Sequence, residues 1–207
     1  MVHSDSVSGA RLILASASPR RRDLLRQIGI EADVVAAAMI DESPHPGEAP
    51  PALARRLAGA KAAAVAMGHG DAFVLAADTV VACGRRCLPK ASARDEARRC
   101  LELLSGRRHR VHTGVCLVPP GGQPRQRVVS TTVSFKRLEG AEIEAYLECG
   151  EWRGKAGAYA IQGRAAVFVR RLNGSYSNVV GLPLHEVAAL LGGLGYPVTE
   201  ASAKRGA

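Results

Sequence analysis

Five consecutive apolar residues, Phe73-Val74-Leu75-Ala76-Ala77, run directly into Asp78 and Thr79. A short apolar run without alternation is the pattern of a central strand covered on both faces. An aspartate at the carboxyl end of such a strand lies where open α/β sheets bind their ligands. There a carboxylate can hold a divalent cation or take a proton from water. The plainer alternative is an aspartate that caps a turn.

The flanking segments extend this reading. Arg11–Ala15 reads as a short buried strand. Ser18-Pro19 then opens a helix, with serine as N-cap and proline at the first helical position. That helix carries Leu24, Leu25 and Ile28 on one face and stops at Gly29. Residues 31–39 suggest a second strand, followed by a proline-rich loop, Ser43–Pro51. Leu53, Leu57, Ala60, Ala64 and Met67 recur at helical spacing before Gly68. A hairpin is expected around Gly84, and Ser92 with Asp95 resembles a capping box for a helix to about Leu104. Val111–Val118 and Val128–Phe135 are β-rich and joined by the turn Pro119-Pro120-Gly121-Gly122. Glu139–Glu148 reads as helix, Ala165–Leu172 as strand, and Leu184–Leu191 as the last helix. Strands that alternate with helices around a long hairpin predict an α/β fold with a mixed sheet. Neither an internal repeat nor a long linker divides the chain. Residues 11–195 are therefore expected to form one domain, between a disordered extension at 1–10 and a C-terminal tail at 196–207.

Of the 207 residues 47% are hydrophobic, which excludes disorder as the default, while only 4% are aromatic, so the core must rest on Ala, Val, Leu and Ile. Apolar runs fall well short of the roughly 20 residues that span a membrane. Met1–Ala10 has no hydrophobic signal core, and a cytoplasmic location is expected. The five cysteines, an odd number without paired metal-ligand spacing, are expected to be free thiols in a reducing compartment. The net charge of +9 favours anionic partners such as nucleotides, nucleic acid or an acidic membrane surface, or serves solubility alone. Its basic pairs are scattered, at Arg55-Arg56, Arg85-Arg86, Arg98-Arg99 and Arg170-Arg171, with no aromatic interleaving. A nucleic-acid stacking platform is therefore not expected. The histidines show no metal-helix spacing, and no G-x-S-x-G nucleophile elbow occurs.

Three segments could carry chemistry besides Asp78. In Ala15-Ser16-Ala17-Ser18-Pro19-Arg20-Arg21 a strand ends and a helix begins with two arginines. A helix N-terminus attracts anions and repels cations. Arg20 and Arg21 make sense there when a phosphate lies between them and the helix end, the alternative being a solvated basic start. The glycine-rich Walker loop is missing. Asp41 and Glu42 form a second acidic pair that can add a metal ligand or stay solvated. Lys155-Ala156-Gly157-Ala158-Tyr159-Ala160-Ile161-Gln162-Gly163 is rich in small residues that let backbone approach a flat ligand, and Gln162 can both donate and accept at a base edge. Tight packing alone would explain the same composition.

Taken together, Leu14-Ala-Ser-Ala-Ser-Pro-Arg-Arg21, Ala77-Asp-Thr-Val-Val81, Leu104-Ser-Gly-Arg107, Val111-His-Thr-Gly-Val115, Lys155–Gly163, Asn173-Gly-Ser-Tyr176 and Asn178-Val-Val-Gly-Leu-Pro-Leu184 resemble, in this order, the motifs of the Maf family. The resemblance runs from about Leu12 to Leu191. It implies an elongated α/β fold similar to that of inosine triphosphate pyrophosphatases, with a cleft between two lobes. It implies cytoplasmic homodimers that use Mg²⁺ or Mn²⁺ to split a nucleoside triphosphate into a monophosphate and pyrophosphate. It also implies links to septum formation, to arrest of cell division and to clearance of noncanonical nucleotides. Carried onto this chain, Asp78 resembles the family's proton acceptor, and Arg20, Thr79 and Gln162 match positions of substrate choice. Ser16, Arg21, Lys61 and Lys90 match cleft positions that contact phosphates. The Ala-Gly-Ala-Tyr-Ala-Ile-Gln-Gly form resembles the branch acting on dTTP and UTP rather than the one acting on 7-methyl-GTP. One departure stands out: the family usually reads Lys-Pro after the second short strand, whereas here the order is Leu88-Pro89-Lys90-Ala91.

The residues suit a hydrolytic mechanism in which Arg20, Arg21, Lys61 and Lys90 clamp phosphates, Asp78 with Glu42 holds the metal, and Gln162 meets the base. The alternative from another class is a nucleotide-sensing or nucleic-acid-binding regulator of septation without turnover.

Overall fold

The computed structural model describes residues 10–198. The expected N-terminal extension, apart from Ala10, and residues 199–207 of the expected tail lie outside the described residues. One mixed sheet contains β1 (Leu12–Ala15), β2 (Val34–Val35), β3 (Phe73–Cys83), β4 (Arg86–Leu88), β5 (Arg108–Val118), β6 (Arg125–Phe135) and β7 (Val169–Asn173). Its order is β2-β1-β3-β5-β6-β7, with β4 also paired to β3. β1 runs parallel to β2 and β3, and the other pairings are antiparallel. The helices are α1 (Pro19–Gln27), α2 (Pro50–Ala66), α3 (Arg94–Leu104), α4 (Gly140–Cys149), α5 (Tyr176–Val180) and α6 (Leu184–Gly193). This is the expected mixed α/β architecture.

Side chains alternate across a strand, and this alternation sorts the core. Leu12, Leu14, Phe73, Leu75, Val115 and Leu117 pack with Leu24 and Leu25 of α1 and Val187, Leu190 and Leu191 of α6. On the opposite face Ile13, Ala15, Val74, Ala76 and Cys116 pack with Ala58, Ala62 and Val65 of α2. A third cluster lies beyond the middle of β3, where Val81, Leu88, Val111 and Val133 join α3, α4 and the aromatic residues Phe135, Tyr146, Trp152, Tyr159 and Phe168.

β3 links these regions and forks the sheet. Along one edge it pairs with β5 continuously from Val74 to Ala82. Along the other edge it pairs with β1 only as far as Ala76, and with β4 only from Val81. Residues 77–80 thus have no strand on that side, an opening of roughly 13 Å at strand spacing. Asp78 and Thr79 lie in this opening. The strand does not end at the aspartate, as the apolar run suggests. It continues to Cys83 because the hairpin at Gly84, with φ 62°, supplies β4 as a new partner.

Other boundaries also shift for identifiable reasons. Only Val34 and Val35 of the span 31–39 form a strand, since β1 is four residues long and the Asp33 carboxylate accepts the Leu12 N–H at 2.7 Å. Pro50 and Pro51 belong to the first turn of α2, where a missing N–H does no harm. The buried stripe of α2 is Leu53, Ala54, Leu57, Ala58, Lys61, Ala62 and Val65, while Ala64 and Met67 face solvent. Ser18 holds the N-cap position of α1 without a side-chain bond; instead Ser16 Oγ accepts the Ser18 N–H. At α3 it is Glu96, not Asp95, that reaches back to the Ser92 N–H. Ala165–Leu172 divides into a 3₁₀ turn, Arg164–Phe168, and β7. The five-residue α5 is too short to leave a periodic signature.

One glycine sets the distance between α2 and the sheet. Gly114 pairs with Asp78 in the β5–β3 register. A Cβ built on Gly114 would lie 2.1 Å from the Ala54 carbonyl oxygen of α2. That atom is backbone and cannot swing aside, so Gly114→Ala must push the helix away. We expect a loss of about 1–3 kcal/mol in urea unfolding; unchanged stability would show that α2 does not rest on this contact.

Candidate active site

The opening in the sheet leads into a cleft of about 390 Å³. It is lined by the exit of β1 with the start of α1, the loop carrying Glu42, Lys61 of α2, Thr79 and Val81 of β3, the exit of β4, the segment around Lys155–Gln162, and residues 179–181 at the end of α5. Because successive residues of β3 point to opposite faces, Asp78 and Thr79 serve two different sets of partners.

Asp78 turns toward α2. It is 2% exposed, and its Oδ1 accepts a hydrogen bond from Lys61 Nζ at 2.5 Å. Lys61 is itself 7% exposed, so this is a buried ion pair. The same ammonium lies 2.5 Å from Glu42 Oε1, and Lys90 Nζ lies 2.5 Å from Glu42 Oε2 and 3.9 Å from Asp78 Oδ1. Burial pushes the Glu42 pKa up, but hydrogen bonds and charge from Lys61 and Lys90 outweigh it and hold the value at about 2. The four groups form one alternating cluster, Asp78–Lys61–Glu42–Lys90.

Thr79 turns toward α1. Its hydroxyl accepts from Arg21 Nη2 at 3.2 Å and shares a 3.0 Å hydrogen bond with Thr113. Arg21 also donates from Nη1 to Ser16 Oγ at 3.0 Å and from Nε to the Gly181 carbonyl at 2.8 Å. Desolvation lowers the pKa of this buried guanidinium, against the charge of Asp78. The Thr113 hydroxyl reaches the Asn178 carbonyl, and Asn178 Nδ2 donates to the Val111 carbonyl and Thr131 Oγ1. A chain of hydrogen bonds therefore joins β1, α1, β3, β5, β6 and α5 beneath the cleft.

The structure brings Ser16, Arg20, Arg21, Glu42, Lys61, Thr79, Lys90 and Gln162 to this one cleft, with Asp78 under Lys61. Lys90 takes part despite the displaced proline, because the β4 exit is held by a bridge from Lys90 to Ala156. Gln162 is exposed at the rim, and its amide makes no hydrogen bond among the described residues. Asp41 stays outside, where its carboxylate accepts the Ser43 N–H. Several residues escaped the reading of single side chains. Lys155 stands at the head of a motif quoted for its small residues, yet lines the cleft itself. Thr113 and Asn178 sit inside two other motifs, and only the fold reveals that they support Thr79. Among the described residues no group of three or more His, Cys, Asp or Glu side chains converges as a ready metal cage.

The sequence profile of the Maf-like protein family matches residues 11–194. The chain belongs to the Maf-like family. Curated relatives named dTTP/UTP pyrophosphatase are similar over nearly their whole length. The protein of Paramagnetospirillum magneticum is 63% identical, covering 90% of this chain and 98% of that one. That of Maricaulis maris is 61% identical over 91% and 90%, and that of Mesorhizobium japonicum 57% over 91% and 93%. Among solved structures, the Staphylococcus aureus Ham1 protein aligns with a TM-score of 0.45 and 14% identity, covering 60% of this chain and 71% of that one, a likeness too partial to bear on the site.

The Maf-like cleft wall around Tyr159 rests on a buried histidine. His109 Nε2 and Tyr159 Oη are 2.8 Å apart, and His109 packs edge-on against Phe135 and Tyr159. Burial pushes the His109 pKa down from 6.5 to about 4. Between these values the unfolded chain binds the proton that the folded one refuses, so stability rises with pH there and is lost as pH falls from 6.5 toward 4. In urea unfolding at pH 7, 5.5 and 4, wild type should lose more stability than His109→Gln, by at most ~3 kcal/mol. Parallel losses in both proteins would remove His109 as the cause.

Proposed function

We propose that this chain hydrolyses dTTP and UTP between the α and β phosphates, releasing a nucleoside monophosphate and pyrophosphate. The observation that carries this reading is the 57–63% identity, over nine-tenths of the chain, to proteins named dTTP/UTP pyrophosphatase. A cleft with Asp78 at its floor and basic groups around it supports the same reading.

A nucleoside triphosphate is a polyanion whose phosphorus atoms are shielded from water. The site must therefore neutralise charge and position a nucleophile more than perform covalent chemistry. In this proposal Asp78 accepts the proton of the attacking water. Ser16, Arg20, Arg21, Lys61 and Lys90 bind phosphate oxygens. Arg21 acts from a fixed frame, since three of the five donors of a guanidinium are already engaged. It thereby orients Ser16 and Thr79 as well. Gln162, with a free amide at the rim, pairs with a carbonyl and an N–H of a pyrimidine edge.

Asp78 and Glu42 suit a Mg²⁺ or Mn²⁺ ion. One oxygen of each already lies 2.5 Å from Lys61 Nζ, so both carboxylates converge on a single cationic position. Such ions take one or two carboxylates together with phosphate oxygens and water. When bound, the ion neutralises phosphate charge and makes a coordinated water more acidic. The proposal extends to a cytoplasmic homodimer and a part in arrest of cell division, which rest on the family resemblance alone.

The test is pyrophosphate release from dTTP, UTP, CTP and 7-methyl-GTP with Mg²⁺. Release is expected from dTTP and UTP, and Asp78→Asn should lower it by about a hundred- to ten-thousand-fold. Near-normal turnover by Asp78→Asn would strip Asp78 of its role as base. Silence of the wild type on all four nucleotides would favour a nucleotide-sensing regulator without turnover.

A further inference from the structure

Three of the cleft's cations already have partners. Lys61 and Lys90 are bound to Glu42 and Asp78, and Arg21 to Gly181, Ser16 and Thr79. Arg20 and Lys155 stand apart from both sets. The Arg20 guanidinium makes no hydrogen bond among the described residues, although it is partly buried in the cleft wall. Lys155 Nζ donates once, to the Arg153 carbonyl at 3.1 Å, which leaves two ammonium donors unused. Burial, and after it the charge of Arg20, lowers the Lys155 pKa, while Glu151 opposes this. Glu151 is itself engaged, since its carboxylate accepts the Arg164 N–H at 2.8 Å. Two partly buried cations that repel each other, neither in a salt bridge among the described residues, are unfavourable until an anion joins them.

The backbone goes to some length to place Lys155 there. The Gly154 N–H donates to the Ala91 carbonyl, the Gly157 N–H donates to the Pro89 carbonyl, and Ala156 bridges Lys90. These contacts strap the turn to the exit of β4. The turn is completed by Gly157 at φ 70° and by Ala158 at φ 58°, the one residue other than glycine with positive φ among those described. Left-handed backbone at an alanine persists only where its surroundings enforce it. A Cβ on Gly157 would lie 2.8 Å from Val81 Cγ1, so the turn is pressed against β3. Lys155 therefore lines the same cleft as Arg20 and Gln162, from a tightly held turn.

We propose that Arg20 and Lys155 form a second anion subsite, separate from the Asp78–Lys61–Glu42–Lys90 cluster, which takes a phosphate group of the nucleoside triphosphate. The inference rests on the hydrolase reading for the identity of its ligand, and on geometry for the existence of the subsite.

Tripolyphosphate, which has no base or sugar, is the probe. Calorimetric titration of the whole chain compares wild type, Lys155→Met, Lys155→Arg, Arg20→Met and the double variant Arg20→Met/Lys155→Met. Lys155→Met should weaken tripolyphosphate binding about tenfold or more, as expected for one charge-assisted contact. KM for dTTP should rise by the same factor, and Lys155→Arg should restore much of both. The double variant should lose less than the sum of the single losses in log Kd, because both groups hold one anion. Unchanged tripolyphosphate affinity in both Lys155→Met and Arg20→Met, in proteins that unfold like wild type, would overturn the subsite. So would a lowered unfolding midpoint of Lys155→Met with intact binding, since that marks a purely structural lysine. Lys155-dependent binding without pyrophosphate release from dTTP would sink the hydrolase reading and leave the subsite standing. Turnover of dTTP with an unaltered KM in Lys155→Met would do the reverse.

Discussion

The contact between Lys61 and Asp78 is the constraint around which the rest of the molecule is arranged. Both groups are almost fully removed from water, and they meet at 2.5 Å on the face of a central strand. Desolvation of two charges is expensive, and only close geometry with further partners offsets it. Each member also has a second partner, Glu42 at 2.5 Å from Lys61 Nζ and Lys90 at 3.9 Å from Asp78 Oδ1. The fold meets these demands in three ways. Gly114, opposite Asp78 on β5, lets α2 settle onto the sheet and brings Lys61 into reach. The fork between β1 and β4 keeps the strand edge beside Asp78 open. Glu42 and Lys90 extend the pair into an alternating cluster at the cleft mouth.

The other face of the same strand is held by neutral hydrogen bonds rather than by ion pairs. Thr79, Thr113, Asn178 and Thr131 are linked in series, with Arg21 bound to the first of them. Breaking a link of such a network would leave further buried polar atoms unpaired, as Asn178 Oδ1 already is among the described residues. The two faces thus divide the work. One presents a carboxylate whose charge is balanced by ammonium groups, and the other presents hydrogen-bonded hydroxyls. Between them the cleft retains two cations, Arg20 and Lys155, that have no anionic partner among the described residues. A polyanionic substrate would enter a site whose positive charge is only partly consumed.

Much of this was legible in the amino-acid order. The apolar run before Asp78, the β1–α1 junction with its paired arginines, the long hairpin and the order of the motifs all survive in the structure. They are local patterns, and the elements they specify are long or sharply bounded. What failed was equally local in origin. The stripe of α2 differs from the one its spacing suggests because alanine suits either face of a helix, so Ala64 looks as eligible for burial as Ala62. β3 runs past the end that its apolar run suggests, because nothing in Phe73–Ala77 announces that β4 will return and pair with Val81–Cys83. The place of Lys155 in the site is not legible in the sequence, because it depends on the strapped turn behind it and not on its neighbours along the chain.

The order of amino acids settles which chemical groups are available and on which kind of element each one rides. Local propensity and turn chemistry act over a few residues, and a motif carries its side chains wherever it goes. Tertiary structure alone decided the pairings. Lys61 meets Asp78 across 17 positions, Arg21 reaches Gly181 across 160, and Lys90, past the end of β4, bridges Ala156. These distances in sequence are closed by the register of a sheet and by the depth at which a helix packs on it. Register and depth are collective properties of many side chains packed at once, and no single stretch of the chain contains them.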